Sequence, residues 1–154
     1  PPKRGTLMSS AGKVVSRAEL VRRAAGWRAE AKTVALANGL FDIIHVGHLR
    51  YLEEASTLAD VLVVAVNDDA SARSLKGPDR PVVPQDERAE LVAGFGCVSL
   101  VTLFGEATVE ELLRVLVPAA AAAAAAAVTL AIVSADLRLA SDSRTNLEAK
   151  INFG

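Results

Sequence analysis

Short apolar runs without polar alternation recur along the chain, and segments with apolar residues at helical spacing lie between them. The runs are residues 33–37, 60–66, 98–104 and 128–133. A strand covered on both faces reads this way, because neither face meets water. Ser16 followed by Glu19 is a capping box that opens a helix to about Ala25, with Leu20, Val21 and Ala24 on one face and Gly26 as its stop. Trp27 is expected to pack against the body. Residues 47–58 place Leu49, Leu52 and Ala55 at helical spacing and turn Arg50, Glu53 and Glu54 outward. Asn67, Asp68 and Asp69 cap a short helix over residues 70–75. Gly77, Pro78 and Pro81 mark a loop over residues 76–81. Pro84 starts a helix with Asp86 and Glu87 in its first turn, ending at Gly94 or Gly96. Thr108 caps another, which Pro118 ends, and residues 144–151 form the last.

Strands alternating with helices predict an α/β fold, a Rossmann-like doubly wound parallel sheet with helices on both faces. Ligands on such sheets bind beyond the carboxyl ends of the strands. Residues 1–13 are polar and read as a flexible tail or linker, and residues 14–154 as one domain. No methionine stands first: either Met8 is the native start, or the chain is a piece of something longer.

Composition narrows this reading. With 51% hydrophobic and 23% charged residues, the 154-residue chain suits a globular domain with a real core. A formal net charge of −1 gives no broad field for nucleic acid or an anionic membrane surface, so neither is expected as a partner. The single cysteine, Cys97, cannot form an internal disulfide, which points to a reducing, cytoplasmic setting. The first residues carry no apolar signal stretch, and no membrane span is expected. Residues 119–127 are nine consecutive alanines. Alanine favours helix, but Pro118 precedes the run and pure alanine has no partner-facing stripe. The run reads as standing in for other side chains.

The two histidines of the chain, His45 and His48, flank Gly47 at the end of the first strand. Imidazoles three apart at a helix start lie on one side of the turn. Gly47 is expected to let a phosphate approach the backbone, and the helix start supplies N–H groups and partial positive charge. This suits a phosphoryl group whose charge rearranges during reaction, which needs positioning and electrostatics rather than a covalent nucleophile. No third or fourth ligand at recognisable spacing makes the pair a zinc site. A Walker loop and a dinucleotide glycine motif are absent.

Residues 39–48, Gly-Leu-Phe-Asp-Ile-Ile-His-Val-Gly-His, resemble the G-x-F-D-x-x-H-x-G-H signature of the cytidylyltransferase-like nucleotidyltransferases. Asn38, Tyr51-Leu52, residues 64–67, 75–77 and 80–82, and the quartet Glu87-Arg88-Ala89-Glu90 narrow the similarity to the bacterial D-glycero-D-manno-heptose 1-phosphate adenylyltransferases. The resemblance implies ATP and a phosphorylated sugar as substrates, with Mg²⁺ carried by the triphosphate and no metal held by the protein. It makes His45, His48 and Lys76 catalytic. It assigns Gly39, Leu40, Phe41, Gly47 and Arg88 to the nucleotide, Arg88 reaching the triphosphate. Ser143, Arg144 and Thr145 resemble the family's Ser-Thr-Thr loop and would hold the β- and γ-phosphates. Asp42, Asn67, Asp69, Arg73 and Arg80 would face the acceptor. Such enzymes are commonly homo-oligomers, and a sugar kinase, fused or separate, is an expected companion.

Two departures bear on the substrate. Leu40 stands where the family usually has Cys or Thr, and the family's Lys-Gly-x-Asp-Tyr stretch should follow Pro118, where the alanines lie. A cytidylyltransferase using glycerol 3-phosphate or phosphoethanolamine is therefore the competing enzyme reading, and a nucleotide-binding module without turnover the competing reading of another class.

Overall fold

The computed structural model describes residues 9–116 and 130–134, and the side chains of the first of these ranges. The four apolar runs become β1 (Val34–Gly39), β2 (Val61–Asn67), β3 (Leu100–Phe104) and β4 (Leu130–Ser134). All pair in parallel, in the order β3-β2-β1-β4. From β1 the chain builds outward through β2 to β3 and then returns to the other side of β1 for β4. The order of building reverses between β1 and β4, and open sheets of this kind bind ligands at such a switch point.

The helices are α1 (Ser10–Lys13), α2 (Arg17–Ala29), α3 (Val46–Ser56), α4 (Asp69–Lys76), α5 (Gln85–Ala93) and α6 (Glu110–Leu116). Leu52 and Ala55 of α3 and Ala89, Val92 and Ala93 of α5 pack with Ala35, Ala37, Leu62 and Val64 on one face of the sheet. Leu20 and Ala24 of α2 and Leu112, Leu113 and Leu116 of α6 pack with Val34, Leu36, Val61 and Val63 on the other. Every residue of β2 is buried, as its lack of polar alternation predicts. At the amino edge, Asp60 Oδ2 accepts from Thr33 N at 2.8 Å, and Thr33 Oγ1 accepts from Asp60 N at 2.9 Å. This reciprocal clasp aligns the starts of β1 and β2.

Several boundaries differ from expectation for local reasons. Helix α2 runs through Gly26 to Ala29, with Glu30 N–H bonded to the Gly26 carbonyl. Ser16 Oγ does cap it, accepting from Glu19 N at 3.2 Å. The Glu19 carboxylate does not close the expected box: Arg22 and Arg23 bind it, and its pKa falls to about 2. Asp68, not Asp69, caps α4, accepting from Ser71 N at 2.7 Å. β3 starts at Leu100 because Val98 N–H still closes the preceding turn on the Phe95 carbonyl. Residues expected to be a loose tail include α1, which Ser9 caps and Lys13 anchors to the Phe95 carbonyl at 3.2 Å. Just after it, Val15 N–H bonds the Val101 carbonyl at 2.9 Å and covers part of the edge of β3. Residues 119–127 and the expected helix over 144–151 lie outside the described residues.

Candidate active site

β1 ends at Gly39, and the chain must turn from the sheet into α3 within six residues. The turn is made at Phe41, whose φ of 51° lies in the left-handed region that non-glycine residues seldom adopt. Its ring is buried at 2% exposure and meets the His48 ring at 5.5 Å between centroids. Core burial thus holds a strained residue directly under the histidine motif.

His45 is the N-cap of α3 and His48 its third residue, and together they form a reciprocal capping box. His45 Nδ1 accepts from Gly47 N at 3.0 Å, and His48 Nδ1 accepts from His45 N at 3.2 Å. The rings lie 4.1 Å apart between centroids. An Nδ1 that accepts from a backbone N–H leaves the proton of a neutral imidazole on Nε2. Both rings are therefore set as Nε2–H donors at a helix N-terminus, where N–H groups and the dipole already favour an anion. Burial, and then the neighbouring His45, push the His48 pKa below its ordinary value.

Gly47 serves a nearer need than phosphate access. A Cβ there would stand 2.7 Å from His45 Cε1 and 2.8 Å from its Nδ1. Glycine is required because the His45 ring folds back over the first turn to reach the backbone.

A cleft of about 440 Å³ opens beside the motif, lined by Leu40, Phe41, Asp42, Ile43, His48, Lys76 and Arg80. The size suits a small ligand. His45, exposed, stands next to His48 at the mouth. Six sequence-predicted residues thus meet in one concavity with two cationic side chains, Lys76 and Arg80. Arg73 does not line it: it is exposed on α4. Gly39 is buried at the end of β1, in register with Val66.

Asp42 was expected to face the acceptor, yet its carboxylate is occupied by protein. Oδ2 accepts from Arg80 Nη1 at 2.6 Å, and Oδ1 accepts from Val82 N at 2.8 Å and Val83 N at 3.0 Å. Burial opposes its charge, but these donors outweigh it and hold the carboxyl below the usual carboxylate range. Asp42 fastens the loop after α4 to the histidine loop and aims Arg80 at the cleft.

Arg88 requires a firmer correction. It was expected to reach the triphosphate, but it is fully buried at 0% exposure. Its Nη1 donates to the carbonyls of Leu40 at 2.5 Å and Asn67 at 2.8 Å, Nε to Val83 O at 2.8 Å, and Nη2 to Asp69 Oδ1 at 2.9 Å. Arg88 is a positioning residue that ties together the loop after β1, the end of β2 and the loop before α5. Asp69, expected at the acceptor, is its counter-ion, and Gln85 Oε1 accepts from the Asp69 N–H at 2.9 Å. Asn67, also expected there, is buried and donates from Nδ2 to Ser71 Oγ at 3.3 Å. A clue to Arg88 was present: it stands four residues before Val92, on the side of α5 that carries buried Ala89, Val92 and Ala93. Ser143, Arg144 and Thr145 lie outside the described residues. Among the described residues no group of three or more His, Cys, Asp or Glu side chains is placed to hold a metal ion. No helix among them is long and apolar enough to cross a membrane.

Gly47→Ala is expected to keep the fold and displace the His45 ring, lowering kcat/KM about 10²-fold, the scale for misplacing one stabilising donor. Steady-state kinetics beside a circular dichroism spectrum check this. Arg88→Met leaves three carbonyls and a carboxylate without their donor and is expected to cost about 3–5 kcal/mol in chemical denaturation. The depressed His48 pKa means that the unfolded chain takes up this proton first as pH falls below the ordinary value of 6.5. The His48 contribution to stability is thus full above that pH and declines as pH falls from there through the lower folded value. Ring-nitrogen NMR shifts followed between pH 8 and 5 should show His48 taking up its proton at a lower pH than an ordinary histidine, with the neutral form carrying its proton on Nε2.

The family model described as cytidylyltransferase-like matches residues 36–146, from the middle of β1 past β4. The chain is 38% identical over 138 residues to the bifunctional protein HldE of Trichlorobacter lovleyi, covering 90% of this chain and 28% of that one. It is 45% identical over 111 residues to HldE of Gluconacetobacter diazotrophicus, covering 72% of this chain and 23% of the relative. The chain thus spans about a quarter of the length of these relatives. A solved lipopolysaccharide core biosynthesis protein from Thermoplasma volcanium superposes with a TM-score of 0.52 at 32% identity, over 56% of this chain and 70% of that one. The match spans the histidine motif, the switch point and the clamp around Arg88, and the chain belongs to the cytidylyltransferase-like nucleotidyltransferases.

Proposed function

We propose that this chain is the adenylyltransferase that joins ATP to D-glycero-D-manno-heptose 1-phosphate, giving ADP-heptose and pyrophosphate. The observation that carries the chemistry is the histidine capping box: two Nε2–H donors and a helix N-terminus held together beside a cleft with Lys76 and Arg80. A phosphate oxygen of the sugar attacks the α-phosphorus, a new P–O bond forms, and the bond to the β-phosphate bridging oxygen breaks. Pyrophosphate leaves with the electron pair of that bond. Mg²⁺ would come with the nucleotide substrate and supply charge screening of the triphosphate. The chain itself supplies the imidazole donors to the oxygens that gain charge, Lys76 as a further cation, and Arg80 as the acceptor-phosphate contact. No nucleophile of the protein is consumed, which fits a reaction governed by alignment and charge.

The choice of ATP and heptose rests on the resemblance of residues 75–77, 80–82 and 87–90 and on the similarity to the HldE proteins. Those relatives are called bifunctional and are about four times as long, so a sugar kinase, fused or separate, is the proposed source of the sugar 1-phosphate.

Pyrophosphate release measured with ATP or CTP against heptose 1-phosphate, glycerol 3-phosphate and phosphoethanolamine tests the reading. ATP with heptose 1-phosphate is expected to turn over fastest, and Lys76→Ala to lower kcat about 10²-fold or more. Faster turnover with CTP and glycerol 3-phosphate would replace this substrate pair with the cytidylyl one. Unchanged turnover in His48→Ala would remove the catalytic assignment.

A further inference from the structure

Asn38 is the penultimate residue of β1, and among the described residues its Oδ1 is buried with no hydrogen-bond partner. The buried side chains of Asp42, Arg88 and Asn67 are by contrast engaged, the first two in the clamp and Asn67 with Ser71. A buried amide oxygen without a donor is unfavourable, and native structures keep few of them. The orphan atom therefore asks for a donor, and its place in the fold limits what that donor is.

Asn38 stands in register with Ala65 of β2 on one side and Ser134 of β4 on the other. It is thus on the strand that borders the switch point, two residues before the loop that lines the cleft. Side chains alternate along a strand. Val34 and Leu36 face the layer of α2 and α6, and Ala35 and Ala37 the layer of α3 and α5. Asn38 continues the first row, on the opposite face of the sheet from the histidines. A nucleotide whose phosphates lie at the start of α3 and whose body crosses the switch crevice carries its nucleoside over β1 toward β4. That path passes Asn38, which keeps partial exposure although its Oδ1 is itself buried.

We infer that Asn38 Oδ1 accepts a hydrogen bond from the bound nucleoside, either a ribose hydroxyl or the exocyclic amine of the base, and that Asn38 is a nucleotide-specificity residue. The inference rests on the nucleotidyl-transfer reading for the position of the phosphates. It adds a contact that neither the histidine motif nor the clamp provides.

The test compares wild type with Asn38→Ala by apo thermal melting and by calorimetric titration with ATP, 2′-deoxy-ATP, 3′-deoxy-ATP and the purine riboside triphosphate lacking the 6-amine. The expected result is an apo Tm that holds or rises and an ATP Kd weakened about tenfold, the size of one lost hydrogen bond. One analogue, the one missing the donor, should bind both proteins alike and so identify that donor. A lower apo Tm or a failure to fold, with nucleotide affinity unchanged where it is measurable, would assign Oδ1 to a donor in the chain and overturn the inference. The same weakening for every ligand would also overturn it. If wild type binds CTP and not ATP, the adenylyl reading fails by itself. The series is then repeated with CTP, its deoxy forms and the analogue lacking the 4-amine, which tests Asn38 separately.

Discussion

A guanidinium shut away from water needs acceptors on several sides, and the carboxyl edge of this sheet is arranged to supply them. Arg88 reaches from α5 to the carbonyls of Leu40, Asn67 and Val83 and to the Asp69 carboxylate. The Leu40 and Asn67 carbonyls lie where β1 and β2 end, and the Val83 carbonyl lies in the loop before α5, so all three need donors outside a regular ladder. One side chain satisfies them and closes three loops onto each other. With Asp69 alone as an ion pair, the desolvation cost would be poorly offset; with three carbonyls added, the buried charge is tolerable.

Asp42 completes the arrangement from the opposite direction. Val83 gives its N–H to Asp42 and its carbonyl to Arg88, so a single residue is gripped on both sides. The loop that bears Arg80 is thereby locked to the loop that bears the histidines. Cleft geometry then depends on contacts that never touch a substrate. This explains why residues that look chemical in the sequence turn out to hold the scaffold: charges that align the site must themselves be neutralised and kept from competing for the ligand.

The fold was legible because both sheet faces are covered, so the strands are continuous apolar runs and the sequence period changes sharply between strand and helix. The histidine motif was legible because the chain has no other histidines and because a strand, a glycine turn and a helix surround the pair. The role of Arg88 was hidden, since an arginine in a helix with Asp86 and Glu87 beside it reads as solvated. Only its spacing to Val92 argued otherwise, and local pattern cannot show that three loop carbonyls converge on one point. Asp42 was hidden for the same reason, as its partners lie 38 to 41 positions away. The passage of α2 through Gly26 shows tertiary packing outweighing a weak local stop: the helix leans on α6, and Arg28 Nη1 bonds the Leu116 carbonyl at 2.9 Å.

The histidine pair binds structure and chemistry into the same atoms. Nδ1 of each ring is a helix cap and Nε2 of each is left to donate, so the tautomer follows from the backbone rather than from the ligand. Lysine or arginine at either position would bring more charge, but neither has an acceptor with which to cap α3. Asparagine could cap through its oxygen, but its amide lacks the length of an imidazole and would leave its donor close to the helix. In the imidazole the donor Nε2 lies on the far side of the ring from the backbone, so one nitrogen caps the helix while the other donates away from it. Glycine at position 47 is the condition for that bridging, because the ring must lie across the backbone it caps. The motif is therefore a single mechanical unit, in which a change at the residue without a side chain acts on the chemistry of its neighbour.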